Sequence, residues 1–200
     1  KSLKGSALKV AQMLSMEKNI LPGAYVDKFS LAQFSVPPLS GPLVRKTFNQ
    51  YLGSYPEEIF DNFTFESINA ASIGQVHKAT KGELKLAVKI QYPGVANSIS
   101  SDLALVKPVA TRLFNLKGKD SEKYFKEVES KLLEETDYTL ELKQSREITE
   151  ACSLIPNLKF PTYYADLSCD KILTMDWMEG IHLSEYTAQG MDNREANVLG

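Results

Sequence analysis

The chain has 200 residues, 43% hydrophobic and 24% charged, with a formal net charge of −2. This is enough chain for one domain with a real core, or a domain with an extension, and the composition is that of an ordinary soluble globular protein. The mild negative charge argues against a nucleic-acid partner. The two cysteines, Cys152 and Cys169, have neither zinc spacing nor the density of a disulfide scaffold, so they read as reduced thiols in a cytosol-like compartment.

In chain order, apolar residues at Leu3, Ala7, Val10 and Leu14 predict a helix over 2–20, ended by "ILPG". A second short helix is expected over 22–34. "SVPPLSGP" reads as a proline-rich connection, and Pro42 then opens the helix "LVRKTFNQYL", with Gly53 as its stop. "PEEIFDNF" adds a further turn. From Phe63 the pattern changes to strands, in "FTFES", "VHKA" and "LKLAVKI", with Lys81-Gly82 as a turn between the last two. Ile99, Leu103, Val106, Ala110 and Leu113 mark a long helix, with Gly118 past its end. Another helix is expected from about Ser121 to Ala151. "KFPTYYADLSCDKILTMDWMEG" reads as a hairpin turning at "LSCD", and "HLSEY" begins another helix.

The order is helices, three strands, helices, two strands, helix, which is an α+β arrangement with an antiparallel sheet. The most apolar run, "LALVKPVATRLFNL", is broken by Lys107, Pro108 and Arg112 and is no membrane span. No signal-peptide pattern opens the chain. Because it opens and closes in what reads as helix, both ends are expected to be cuts in a longer protein.

Three stretches carry chemistry. In "LKLAVKI", Leu84, Leu86, Val88 and Ile90 fall on one face of a strand, and Lys85, Ala87 and Lys89 on the other. A small residue at 87 leaves room for a flat ligand, and Lys89 beside it can reach phosphates. The alternative is a half-exposed strand with solvated lysines. The preceding "NAASIGQ" contains Ala70, Ala71, Ser72 and Gly74, small residues that let backbone N–H groups approach phosphate oxygens. It fits neither G-x-G-x-x-G nor the Walker pattern, and a plain hairpin with a small-residue turn is the alternative. In "LLEETDYTLELK", Glu141 lies on a helix after the strand, where a carboxylate partner for Lys89 is needed. Glu135 and Asp137 would point roughly 200° apart in a continuous helix. Either the helix is interrupted near Thr136 or the two do separate jobs, and a solvated acidic face is the plainer alternative.

Taken together these stretches resemble the UbiB/AarF family of atypical protein-kinase-like proteins, linked to ubiquinone biosynthesis. "KVAQMLS" resembles the family's N-terminal Lys-x-Gly-Gln signature, with Lys9 and Gln12 in the defining places. "AASIGQVH" is similar to its alanine-rich loop, "LAVKIQYPGV" to its lysine strand, and "EETDYTLE" to its Glu-x-Asp element followed by the pairing glutamate. "ILTMDWMEG" resembles its hinge. Two departures stand out: Ala11 replaces the signature glycine, and Asn69 the first alanine of the loop.

The resemblance implies a kinase-like N-lobe preceded by a helical extension. The expected division is 1–60 extension, 61–180 nucleotide-binding lobe and hinge, and 181–200 the start of a second lobe. It implies ATP and magnesium as cofactors, with Lys89 on the α- and β-phosphates and Glu141 orienting it. Ala70, Ala71, Ser72, Ile73, Gly74 and Gln75 would cover the phosphates. Ala87 would roof the adenine, with Asp176, Trp177 and Met178 as its hinge. Glu135 and Asp137 would tie the extension to the site, with Glu135 near the metal. The main magnesium ligands and the catalytic loop are expected beyond Gly200, so residues 1–200 alone are expected to be inactive. Lys9 and Gln12, three apart on one helix face, would form a lid excluding protein substrates. The intact protein is then expected to be an atypical kinase or ATPase supporting quinone biosynthesis. It is expected to be cytoplasmic, with peripheral membrane association and lipid, quinone-intermediate or biosynthetic-protein partners open to it. A non-catalytic, nucleotide-gated binding module is the rival reading.

Overall fold

The computed structural model describes residues 38–71, 73–113, 119–181 and 185. The helices expected over 2–20 and 22–34, and the helix beginning at "HLSEY" apart from Glu185, lie outside the described residues.

Helix α1 (Gly41–Leu52) carries a proline in its first turn and stops at Gly53, whose φ of 72° is left-handed. The Gly53 N–H closes the helix on the Asn49 carbonyl. A short helix α2 (Pro56–Ile59) follows. Five strands form one antiparallel sheet: β1 (Asn62–Phe63), β2 (Asn69–Ala71), β3 (Gly74–Lys81), β4 (Leu84–Gln91) and β5 (Ile172–Asp176). Their order is β1-β3-β4-β5, with β2 also paired to β3. The expected strand "FTFES" is thus shorter than predicted. The small-residue segment is itself partly strand, with Asn69 opposite Val76 and Ala71 opposite Gly74.

Register sorts the sheet into two faces, because directly opposed residues share a face. One face pairs Gln75 with Ile90, His77 with Val88 and Ala79 with Leu86. The other pairs Val76 with Lys89 and Lys78 with Ala87, and continues into Leu173 and Met175 of β5. The first face is the core. Val44 and Phe48 of α1 pack with Phe60, Leu86, Val88, Ile90 and Ile172, all buried. Each such side chain contributes about 1.5–3 kcal/mol when removed from water. Helix α1 therefore shares one apolar core with the sheet.

A buried polar chain crosses the same face. The Leu39 N–H donates to Gln75 Oε1 at 2.7 Å, and Gln75 Nε2 lies 2.8 Å from His77 Nε2. His77 Nδ1 lies 2.8 Å from the Thr64 carbonyl. A carbonyl only accepts, so Nδ1 carries the proton and Nε2 accepts from the glutamine amide. Phe63 stacks on the ring at 5.1 Å.

Beyond β4 come helices α3 (Val95–Leu113), α4 (Lys119–Glu135) and α5 (Tyr138–Ala151). Helices α3 and α4 run side by side, cross-linked by Ser100 to Glu129 at 2.6 Å and Lys107 to Glu122 at 2.5 Å. The single helix expected from 121 to 151 is two, broken at Thr136 and Asp137. Asp137 caps α5 by accepting from the N–H groups of Thr139 and Leu140. The expected hairpin before β5 is also incomplete. Its first arm holds only a bridge from Tyr163 to Met175, a turn of 3-10 helix (Ala165–Leu167) and a bridge from Cys169 to Ile172. Among the described residues no helix is long and apolar enough to cross a membrane.

Two outcomes follow from these local structures. Burial depresses the His77 pKa, outweighing the opposite pull of the Thr64 carbonyl. A depressed histidine contributes stability that is present above its ordinary pKa of about 6.5 and lost as pH falls through the folded value. Thermal melts should show a steeper loss from pH 7 to pH 5 in the native protein than in His77→Gln, which cannot titrate. Asp137→Ala should destabilise the protein by about 1 kcal/mol in denaturant unfolding, the ordinary cost of a lost helix cap, while Asp137→Asn retains most of the stability.

Candidate functional site

The sheet face opposite the core carries the only lysine–carboxylate pair that joins β4 to α5 among the described residues. Lys89 Nζ donates to both oxygens of Glu141, at 2.9 and 2.8 Å, across 52 positions of sequence. Glu141 sits in the first turn of α5, where a helix favours negative charge. The side chains remain 21% and 35% exposed. Solvent therefore still screens the pair, and its consequence is the fixed direction of the ammonium more than stability. The same Nζ lies 4.6 Å from the centroid of the Tyr138 ring, so one helical turn supplies both of these contacts to Lys89.

The break before α5 sets this geometry. The Thr136 carbonyl accepts from Gln91 Nε2 at 2.9 Å and from Lys171 Nζ at 2.9 Å. The Tyr138 N–H donates to the Asp170 carbonyl at 3.2 Å. The start of α5 is thus fastened to the end of β4 and to the turn before β5. The hydrogen bond from the Thr139 hydroxyl and those from the Thr139 and Leu140 N–H groups hold the Asp137 pKa below the usual carboxylate range, against an opposing contribution from burial. Asp137 is therefore committed to capping. Glu135 ends α4 on the other side of the break, close enough to Tyr138 for its charge to raise the phenol pKa. The helix is interrupted between the two acids, with Asp137 capping the next one.

The small-residue turn is pinned at both sides. Ala70 is exposed and Ala71 half-buried. Ile73 packs with Val95, Tyr138 and Leu173, and its carbonyl accepts from the Tyr92 N–H at 2.9 Å. A Cβ at Gly74 would lie 2.3 Å from the Ile90 carbonyl oxygen and 3.0 Å from Tyr138 Oη; only glycine fits. Gln75 was expected among the phosphate-covering residues, but its side chain belongs to the buried core-face chain, because strand alternation turns it away from Lys89. Lys9, Gln12 and Ser72 lie outside the described residues.

Ala87 lies between Lys78 and Met175 on the Lys89 face. At the expected hinge, the Asp176 N–H donates to the Thr162 carbonyl and the Trp177 N–H to the Lys85 carbonyl, both at 2.9 Å. Those two donors are spent on structure. The Asp176 carboxylate accepts from Tyr164 Oη at 2.7 Å and the Thr162 N–H at 2.8 Å. Burial alone would raise its pKa, but these bonds outweigh burial and hold it low. Met178, 47% exposed, is where the chain leaves the sheet, and Lys78 Nζ sits 4.0 Å from the Trp177 ring centroid. Among the described residues no group of three or more His, Cys, Asp or Glu side chains stands together as a metal site.

Sequence reasoning missed Tyr138, Gln91 and Lys171. Tyr138 had a readable signal, since it lies three positions before Glu141 and hence on the same helix face. The clamp on the Thr136 carbonyl had none, because it joins residues distant in sequence.

Residues 31–199 match the ABC1 atypical kinase-like domain. The chain is 32% identical over 187 residues to the chloroplastic protein Activity of bc1 complex kinase 8 of Arabidopsis thaliana, covering 90% of this chain and 25% of that protein. It is 29% identical over 189 residues to the probable protein kinase UbiB of Haemophilus ducreyi, covering 89% of this chain and 35% of that protein. The chain therefore spans about a quarter to a third of the length of these relatives. A solved structure, that of Rv3197 with erythromycin from Mycobacterium tuberculosis, is similar with a TM-score of 0.64 and 31% identity, over 96% of this chain and 50% of that one. The kinase-like sheet, the lysine paired to a helical glutamate and these matches agree: the chain belongs to the ABC1 atypical kinase-like family, the group that includes UbiB.

Proposed function

We propose that these residues form the nucleotide-binding lobe of an atypical kinase or ATPase that supports isoprenoid quinone biosynthesis, with ATP and magnesium as cofactors. The observation that carries this reading is the Lys89–Glu141 pair on the sheet face opposite the core. An ammonium has three donors. The two Glu141 oxygens engage it from the helix side, which leaves donor capacity for phosphate oxygens. Ala87 gives the flat base a place on the sheet, and Met178 is the hinge position past the last sheet-bonded N–H. The Ala70–Gly74 turn supplies backbone close to the phosphates.

ATP supplies the transferable phosphoryl group, and phosphoryl transfer also needs metal ligands and a group that orients the nucleophile. The described residues supply binding and aim. Glu141 holds the Lys89 ammonium in one direction, and Asp137 keeps Glu141 in place by starting α5 where it does. Lys9 and Gln12 belong to this proposal as a lid over the cleft, on the family resemblance alone, as do the 1–60, 61–180 and 181–200 divisions.

Calorimetric titration of the intact protein with ATP and magnesium tests the reading. Lys89→Ala should abolish measurable binding. Glu141→Gln should weaken it roughly tenfold, since losing the aim of a charged hydrogen bond costs about 1.5 kcal/mol or more. Native affinity in Lys89→Ala would overturn the assignment.

A further inference from the structure

A cavity of about 440 Å³ opens beside the clamp on Thr136, walled by α1, by the run from Gln91 to Asn97 and by Lys171. Neither Lys89 nor Glu141 lines it, so the nucleotide reading makes no use of it. Two lysines from different elements do, Lys46 of α1 and Lys171 ahead of β5. Among the described residues that line the cavity none is acidic, and Gln50 and Asn97 add carboxamides. Lys171 is half-buried and fixed in place. Its Nζ donates to the Thr136 carbonyl at 2.9 Å, with Asp170 Oδ2, outside the lining, at 3.6 Å. An ammonium has three donors, so Lys171 keeps capacity for an acceptor in the cavity. Lys46 is exposed, and the acid that pairs with α1, Glu57, is taken by Arg45.

The start of α3 forms the next wall. Gly94, at a left-handed φ of 77°, turns the chain after Pro93, and Ala96 and Asn97 of the first helical turn line the cavity. That turn contains no acid, and the first N–H groups of a helix favour an anion. The rest of the lining includes Leu43, Tyr51 and Tyr92. The volume falls in the range of small-molecule sites and exceeds what a bare phosphate would fill. Two lysines opposite an apolar wall therefore suit an anion that carries an organic body.

We propose that this cavity binds a phosphate monoester, its phosphate at Lys46 and Lys171 and its organic body against Leu43 and Tyr51. A phosphate carries up to two negative charges at neutral pH, which two ammonium groups match and a single carboxylate would not. The inference stands apart from the nucleotide reading, because Lys89 and Glu141 lie elsewhere. A phosphate monoester reaches the cavity either as a free small molecule or as the headgroup of a phosphatidic-acid-type lipid, with the same chemistry at the lysines.

The test titrates the intact protein calorimetrically with glycerol 3-phosphate, and with glycerol as the uncharged control. In parallel the protein is sedimented with phosphatidylcholine vesicles with and without phosphatidic acid. The native protein and Lys89→Ala should bind alike, and glycerol should give no heat. Lys46→Ala should weaken binding about tenfold, as for one lost charged hydrogen bond. Asn97→Asp should remove binding, because it puts a carboxylate in the lining. Its melting temperature should nonetheless stay at or above native, since an acid in the first helical turn is favourable. Should Asn97→Asp fail to fold, Lys46→Glu, at an exposed position, introduces the same repulsion. Binding of the free ester assigns a soluble ligand. Binding of the phosphatidic acid vesicles alone, lost in Asn97→Asp, assigns a lipid headgroup, and either result supports the proposal. Absence of both, equal binding of glycerol, or binding unchanged in Lys46→Ala or in Asn97→Asp would overturn it. Loss of ester binding in Lys89→Ala would also overturn it, giving the phosphate to the Lys89 face and leaving the nucleotide reading intact.

Discussion

Everything at this site depends on one interruption of a helix. The Thr136 carbonyl, freed from a continuous helix, accepts from Gln91 at the end of β4 and from Lys171 beside β5. Asp137 then restarts the helix by capping it. A straight helix from 119 to 151 would have no such anchor on the sheet. With the break in place, the first turn of α5 is fixed against β4, and Glu141 meets Lys89 with both oxygens. Gln91, Lys171 and Asp137, none of them part of the pair, thus determine where the Lys89–Glu141 pair forms. Gln91 is nearly fully buried, and its amide finds its partner at the break and not in water.

The sheet separates two kinds of constraint. On one face, α1 and the aromatic group of Phe48, Phe60 and Phe63 close an apolar core. On the other, Val76, Ala87 and Met175 leave a shallow floor beside Lys89. The turn between β2 and β3 belongs to both. Ile73 anchors it toward the helix side, while Gln75 ties it through the core to Leu39 and His77. Small residues here keep side chains out of the way; the glycine at 74 is required by contact with the Ile90 carbonyl.

Much of this was legible in the sequence where the signal was periodic. Alternation in "LKLAVKI" separated the faces of β4 correctly and put Ala87 and Lys89 together. The angular argument on Glu135 and Asp137 left an interrupted helix or separate jobs open, and the helix is interrupted at Thr136 and Asp137. What was not legible depended on partners far away in sequence. A run of small residues reads as loop until its pairing with β3 is known, and backbone pairing leaves little mark on composition. Gln75 read as part of the phosphate-covering loop and His77 as an ordinary strand residue, yet a buried chain of hydrogen bonds accounts for both. The spending of the Asp176 and Trp177 N–H groups on Thr162 and Lys85 follows from tertiary neighbours alone.

The central claim is that Lys89, aimed by Glu141, faces the phosphates of a bound nucleotide. An acyl-phosphate derivative of ATP transfers its acyl group to a lysine amine lying against the phosphates. Peptide mapping of the intact protein after brief labelling reads out which lysine was reached. The account predicts modification concentrated on Lys89 and suppressed by excess ATP. Labelling spread over exposed lysines such as Lys85 and Lys143, with Lys89 spared and ATP without effect, would contradict it.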